Sequence, residues 1–192
     1  MRKLIYYVAC SADGFIARSD GSYDYFLFDG EHFNDLITRF PETFPAPAWQ
    51  PMGISGPNKL FDTVLMGRET YEAGLPVGLT SPYPQLRQYV FSRSMAESLD
   101  PQVTLVSDGA EAFVAALKQE DGMAIWLCGG SKLAATLLPQ IDELILKVNP
   151  VLIGQGRPLF DGKATTIGLK LLESKPYANG FVLQRYALEQ RA

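Results

Sequence analysis

The chain has 192 residues, 47% hydrophobic and 20% charged, an ordinary globular composition with length for one domain, 1–192, and a sizeable core. Its net charge of -4, with seventeen scattered Lys and Arg, argues against a nucleic-acid or anionic-membrane surface, since both depend on clustered cations. No run approaches the ~20 apolar residues of a membrane span, and "MRKLIYYVACSADG" has too short an apolar part and no cleavage site, so the expected location is cytoplasmic.

Two cysteines, Cys10 and Cys128, and one histidine, His32, lack metal-ligand spacing, so no metal site is expected. The thiols read as buried small hydrophobes rather than a disulfide.

"KLIYYVAC" (3–10) is nearly continuously apolar and β-rich, which predicts a strand buried on both faces. Turn chemistry follows around Asp13-Gly14 and Asp20-Gly21. "EHFNDLITRF" (31–40) carries Phe33, Leu36, Ile37 and Phe40 at helical spacing, so one face of that helix belongs to the core. Residues 41–58 contain five prolines and predict a long loop, either a lid or partner surface or a solvated excursion.

"DTVLMG" (62–67) reads as a short strand ending in glycine, and "RETYEAG" as one or two helical turns closed by Gly74. Strands are predicted at 88–92, 103–107 and 124–128, with helices at 109–122 and 131–138. In the first of those helices Phe113, Val114 and Leu117 share a side. This alternation implies a largely parallel sheet covered on both faces. The segments 142–154, 168–180 and 181–189 read as strands with turns at Asn149-Pro150, Gly154-Gly156 and Asn179-Gly180, which predicts an antiparallel hairpin at one sheet edge.

Three of the strand ends carry related chemistry. After strand 124–128, Gly129-Gly130 leaves backbone open to an anion at a helix start, with Ser131 placed to cap and Lys132 adding a cation. The segment fits neither a Walker A loop nor GxGxxG, and a tight structural turn accounts for the glycines equally well. Gly67-Arg68 repeats the pattern, with Thr70 available to cap or donate, although Arg68 has surface partners in Glu69 and Glu72. Ser92-Arg93 ends a third strand. Parallel strands would bring the three junctions to one edge, where ligands of open α/β sheets bind, and a nucleotide with several phosphates suits that set.

The motifs "ACSADGFIA", "DTVLMGRETYE", "FSR", "WLCGGSKLAATLL", "IDELILKVNPVLIGQGRPLF" and "NGFVLQRY" occur in this order across residues 3 to 187. With them the chain resembles the dihydrofolate-reductase-like superfamily, in particular the small bacterial reductases related to the reductase domain of riboflavin biosynthesis. The resemblance implies an α/β, three-layer fold: a mostly parallel central sheet, an antiparallel C-terminal hairpin, and helices on both faces. It also implies NADPH as cofactor. On that alignment Gly67, Arg68 and Thr70 occupy the strand-to-helix phosphate site; Ser92 and Arg93 the 2′-phosphate region; Gly129, Gly130, Ser131 and Lys132 the pyrophosphate turn. Ala9, Ile16 and Cys128 fall near the nicotinamide, and the Gly129-Gly130 peptide is expected to be cis. A 2′-phosphate beside Arg68 and Arg93 would gain charge-assisted hydrogen bonds of roughly 1.5–3 kcal/mol each, favouring NADPH over NADH.

Reduction of C=N or C=O also needs a proton. The resemblance puts an acid near the start of the first helix, where Asp24, Asp29, Glu31 and Asp35 lie. Asp24 and Asp29 are the catalytic candidates, although Asp29 also suits the helix N-cap. Asp24-Tyr25 stands where many small reductases carry Asp-Trp, and Asp13 suits a turn. The chain departs from the folate enzymes at its acid. It departs from the riboflavin enzymes where the Pro-rich loop replaces the usual substrate-phosphate signature; Phe44 and Trp49 either stack on a planar heterocycle or anchor this loop.

The expected function is hydride transfer from NADPH to a small, pteridine- or pyrimidine-like substrate. The alternatives are a riboflavin- or folate-pathway reductase, or a non-catalytic nucleotide-binding module. The C-terminal strands suggest a homodimer.

Overall fold

A computed structural model describes residues 1–162 and 166–189. Its strands and helices, in chain order, are β1 (Leu4–Ser11), β2 (Phe15–Ala17), α1 (Glu31–Arg39), α2 (Ala46–Trp49), β3 (Phe61–Gly67), α3 (Arg68–Glu72), β4 (Arg87–Phe91), β5 (Val103–Val106), α4 (Ala110–Leu117), β6 (Ala124–Gly129), α5 (Ser131–Leu137), β7 (Glu143–Asn149), β8 (Arg157–Pro158), β9 (Gly168–Pro176) and β10 (Val182–Glu189). The main sheet runs β5-β4-β3-β6-β1-β7-β10-β9. Neighbours from β5 to β7 are parallel, and β10 runs antiparallel to both β7 and β9. The α/β fold expected from the sequence, with its C-terminal hairpin, is the fold observed.

The continuous apolar runs of the central strands are split by the period-2 pleat into two cores. Ile5, Tyr7, Val64, Met66, Trp126 and Ile145 face one side, where Leu36 of α1, Phe40 and Tyr71 of α3 cover them. Leu4, Tyr6, Leu65, Ile125, Leu127 and Leu144 face the other, under Val114 and Leu117 of α4 and Ala134 and Leu137 of α5. Burying one such side chain contributes about 1.5–3 kcal/mol, so both layers are held mainly by strand residues too apolar to leave either face wet.

The amino edge of the sheet is closed by paired charges. Buried Arg2 donates to the Met123 carbonyl (2.6 Å), Thr63 Oγ1 (2.8 Å) and Asp62. Lys118 pairs with Asp142 (2.7 Å), and Glu143 accepts from Lys3 and Arg185 (2.6 Å each). Burial alone would raise the Glu143 pKa, but these two hydrogen-bonded cations hold it below the ordinary value.

Several local expectations change. Residues 41–58 are not wholly loop: Pro41–Thr43 form a 3-10 turn and α2 follows, because Pro41, and Pro47 at α2's second position, sit in first turns, where a missing N–H costs nothing. Helix 109–122 stops at Leu117, since the following residues tighten into i→i+3 bonds and Gly122 turns at φ +150° against Arg2 and Asp62. Strand 142–154 stops at Asn149, where Pro150 has no N–H to continue the ladder. The run read as turns after β1 contains β2, which pairs with β8 in a small second sheet.

Candidate functional site

Adjacent parallel strands bring the three sequence junctions together. Gly67 of β3 is level with Phe91 of β4, and Met66 with Gly129 of β6, so Ser92-Arg93, Gly67-Arg68 and Gly129-Gly130 leave the sheet side by side at its carboxyl edge. Arg68, Arg93 and Lys132 are exposed there. Ser92 is buried, and its hydroxyl accepts the Met95 and Ser94 N–H groups (3.0 and 3.3 Å), forming the turn that presents Arg93. Arg68 pairs with Glu72 at 3.3 Å, while Glu69 is taken by Arg157.

The Gly129-Gly130 peptide is cis, and Gly129 has φ +136°, a region that favours glycine. A Cβ built on Gly130 would meet Thr70 Oγ1 at 3.5 Å, and one on Gly129 the same atom at 3.8 Å. Bare backbone at both glycines therefore lies close to the Thr70 hydroxyl, with room for a Cβ in van der Waals contact between them. Gly67 packs against the same backbone, its own Cβ position lying 3.4 Å from Gly130 N. The capping roles change: Gly67 and Gly130 are the N-cap residues of α3 and α5, neither with a side-chain cap bond, so Thr70 and Ser131 lie inside the helices.

Beside this cradle, the α1-side face of the sheet opens. Moving two residues toward the carboxyl edge, buried Tyr7, Trp126 and Ile145 give way to half-buried Ala9, Cys128 and Lys147 on β1, β6 and β7. Ala9 and Lys147 are cross-strand partners. These residues form a half-buried floor on that face, and Tyr83 packs edge-on against Trp126 (4.9 Å), two residues before Cys128 on β6. Burial pushes the Cys128 and Cys10 thiols up to about 12, so both are neutral at ordinary pH, and both cysteines are free. Ile16 instead packs against the α5-side core.

Lys147 had not been singled out in the sequence. Its signal is a lone cation inside the apolar run "LILKVNPVLIG". Its Nζ lies 4.2 Å from the Tyr7 ring centroid, a cation–π contact. Burial lowers its pKa to about 8, against a smaller opposing effect of the Cys128 and Cys10 thiols.

The acidic candidates lie before α1 and on it. Asp24 is exposed and paired with Arg18. Asp29 is exposed and is not the N-cap of α1, which is Gly30, a residue at φ +96° with no side-chain cap bond. Glu31 is exposed; Asp35 accepts from Tyr177 and pairs with Lys175 (3.1 Å). Asp13 is a turn former, accepting from Ser11 and from the Ile153 and Gly154 N–H groups (3.1 and 2.7 Å). Trp49 donates to the Phe44 carbonyl (2.9 Å), and Phe44 packs edge-on against Phe33 of α1 (5.5 Å), so the pair anchors the Pro-rich segment. An open depression of about 420 Å³ lies between the segments after β2 and β7. Arg18 stacks there on Tyr25, whose buried hydroxyl lacks a partner.

A family model described as the RibD C-terminal domain matches residues 2–183. The Bacillus subtilis (strain 168) protein YwjB is 36% identical over 185 residues, covering 95% of this chain and 96% of the relative. A crystal structure of a Shewanella sp. PV-4 protein, named for riboflavin biosynthesis, superposes with TM-score 0.72 at 22% identity, covering 99% of this chain and all of that one. The diaminohydroxyphosphoribosylaminopyrimidine deaminase/5-amino-6-(5-phosphoribosylamino)uracil reductase of Thermotoga maritima superposes with TM-score 0.64 at 15% identity; 97% of this chain corresponds to 56% of that two-activity chain.

Proposed function

The chain belongs to the RibD C-terminal domain family, and on that premise we propose that it is an NADPH-dependent reductase of a small planar heterocycle of the pyrimidine or pteridine kind. One observation carries the reading: bare glycine backbone beside the Thr70 hydroxyl, with Arg68, Arg93 and Lys132 exposed at the same strand ends, adjoins a half-buried floor on the same sheet edge. A dinucleotide has that division, a charged pyrophosphate joined to a flat ring.

The residues present fit such a group. The Gly129-Gly130 backbone, bare of side chains, and the Thr70 hydroxyl beside it would hold the pyrophosphate. Arg93, with Ser92 shaping its turn, and Arg68 would hold the 2′-phosphate. When bound, the nicotinamide supplies hydride. Ala9 and Cys128 offer a flat, uncharged floor for it, since the thiol remains protonated. The half-buried floor limits water at the reacting face.

Calorimetric titration tests the cofactor assignment. NADPH is expected to bind at submillimolar concentration and about a hundredfold more tightly than NADH, as two charge-assisted phosphate bonds would give. Failure of both dinucleotides to bind would remove the proposal. The same reading includes a homodimer formed across β9, where Leu169, Leu171 and Leu172 are exposed, and sedimentation as a monomer would exclude it.

A further inference from the structure

We infer that Lys147 is a catalytic residue of this site, its Nζ ammonium giving the proton to the heteroatom of the C=N or C=O bond being reduced. This rests on the reductase reading above. Lys147 is level with Ala9 and forms the floor together with Ala9 and Cys128. It is the one ionisable group on that floor that is cationic at neutral pH, the thiol beside it being neutral.

The charged groups of the surrounding elements are otherwise engaged. On α1, Asp35 and Arg39 are bound into contacts with Tyr177, Lys175 and Glu173. Glu42, beyond α1, accepts the Lys59, Leu60 and Phe61 N–H groups. From β10, Leu183 lies opposite Lys147, and Arg185 is held by Glu143. From β1 and β6 come only the neutral Cys10 and Cys128 thiols and the Tyr7 ring face. Burial makes the ammonium acidic for a lysine, and the Tyr7 ring face, which favours the cation, offsets that burial only in part.

The step balances. As the substrate carbon accepts the hydride supplied by a bound dihydronicotinamide, the C=X π pair moves onto X, and an N–H bond of Lys147 breaks to form X–H. The dinucleotide is oxidised, the substrate reduced, and Lys147 is left as a neutral amine that water reprotonates. The donor form exists below the folded pKa, so the reaction slows as pH rises through about 8.

The test combines a binding-independent reading with turnover. In protein labelled with ¹³C-lysine, the Lys147 Cε resonance, assigned by its absence in Lys147→Met, is expected to titrate near pH 8 and to shift on saturation with NADPH. With whichever pteridine or pyrimidine probe the wild-type protein reduces fastest, Lys147→Met and Lys147→Arg should each lose on the order of a hundredfold in turnover while NADPH affinity stays within about threefold. Wild-type turnover should fall tenfold per pH unit above 8, and Lys147→Arg should lack that break, because a guanidinium does not give up its proton there. A Lys147 midpoint above 10 with no response to NADPH, or wild-type turnover in Lys147→Met, overturns the inference while leaving the cofactor reading intact. Absence of NADPH binding by the wild-type protein overturns both.

Discussion

Replacing Arg68 and Arg93 together by alanine is expected to weaken NADPH binding about a hundredfold and NADH binding by less than about threefold. Both side chains are exposed at the ends of adjacent strands, β3 and β4, whose register sets Gly67 level with Phe91. A 2′-phosphate there would receive two charge-assisted hydrogen bonds of roughly 1.5–3 kcal/mol each, and about 2.7 kcal/mol in total already gives a hundredfold difference. Arg68 must turn from Glu72, but the 3.3 Å surface pair opposing this contributes only about 0.3–0.5 kcal/mol. Because neither arginine is in a core, the double variant should fold normally, and calorimetry with each dinucleotide gives the answer. Equal losses for NADPH and NADH would show that the arginines do not read the 2′-phosphate.

The largest stability effect is expected at Glu42. This carboxylate is fully buried and accepts the Leu60 and Phe61 N–H groups at 2.8 Å and the Lys59 N–H at 3.2 Å. It thus ties the Pro-rich segment to the start of β3, the strand that ends at Gly67. Glu42→Ala leaves buried donors unpaired at about 1–3 kcal/mol each, so a loss of roughly 3 kcal/mol or more is expected. For a chain of this size that lowers the melting temperature by roughly 6–12 °C. Glu42→Gln keeps one acceptor oxygen and should lose less. A change within about 1–2 °C for Glu42→Ala would mean that residues 41–58 are a solvated excursion after all.

Glu42 also illustrates what a sequence can disclose. The prolines around it mark a break in regular structure, but the partners of the carboxylate are backbone groups of another segment, and no local pattern identifies them. The strand ends were legible because their signals are local: glycine, hydroxyl and cation follow an apolar β-rich run within a few residues. The two-sided burial of β1 was legible for the same reason, from "KLIYYVAC" alone. Lys147 was not. Which face it takes, and that Tyr7 and Cys128 share that face, depends on the registers of β1 with β6 and β7. The β2–β8 pair was hidden too, since it joins residues 15–17 to a strand of two residues far along the chain. The exposed positions of Asp24 and Asp29 likewise depend on how the segment before α1 lies, and spacing did not specify this.

The most direct test of the account is a crystal structure of the protein with NADPH bound. The expected result places the pyrophosphate against Gly129-Gly130 and Thr70, the 2′-phosphate between Arg68 and Arg93, and the nicotinamide over Ala9 and Cys128 within reach of Lys147. A dinucleotide seated instead in the depression beside Arg18 and Tyr25, with the Gly129-Gly130 backbone untouched, would contradict it.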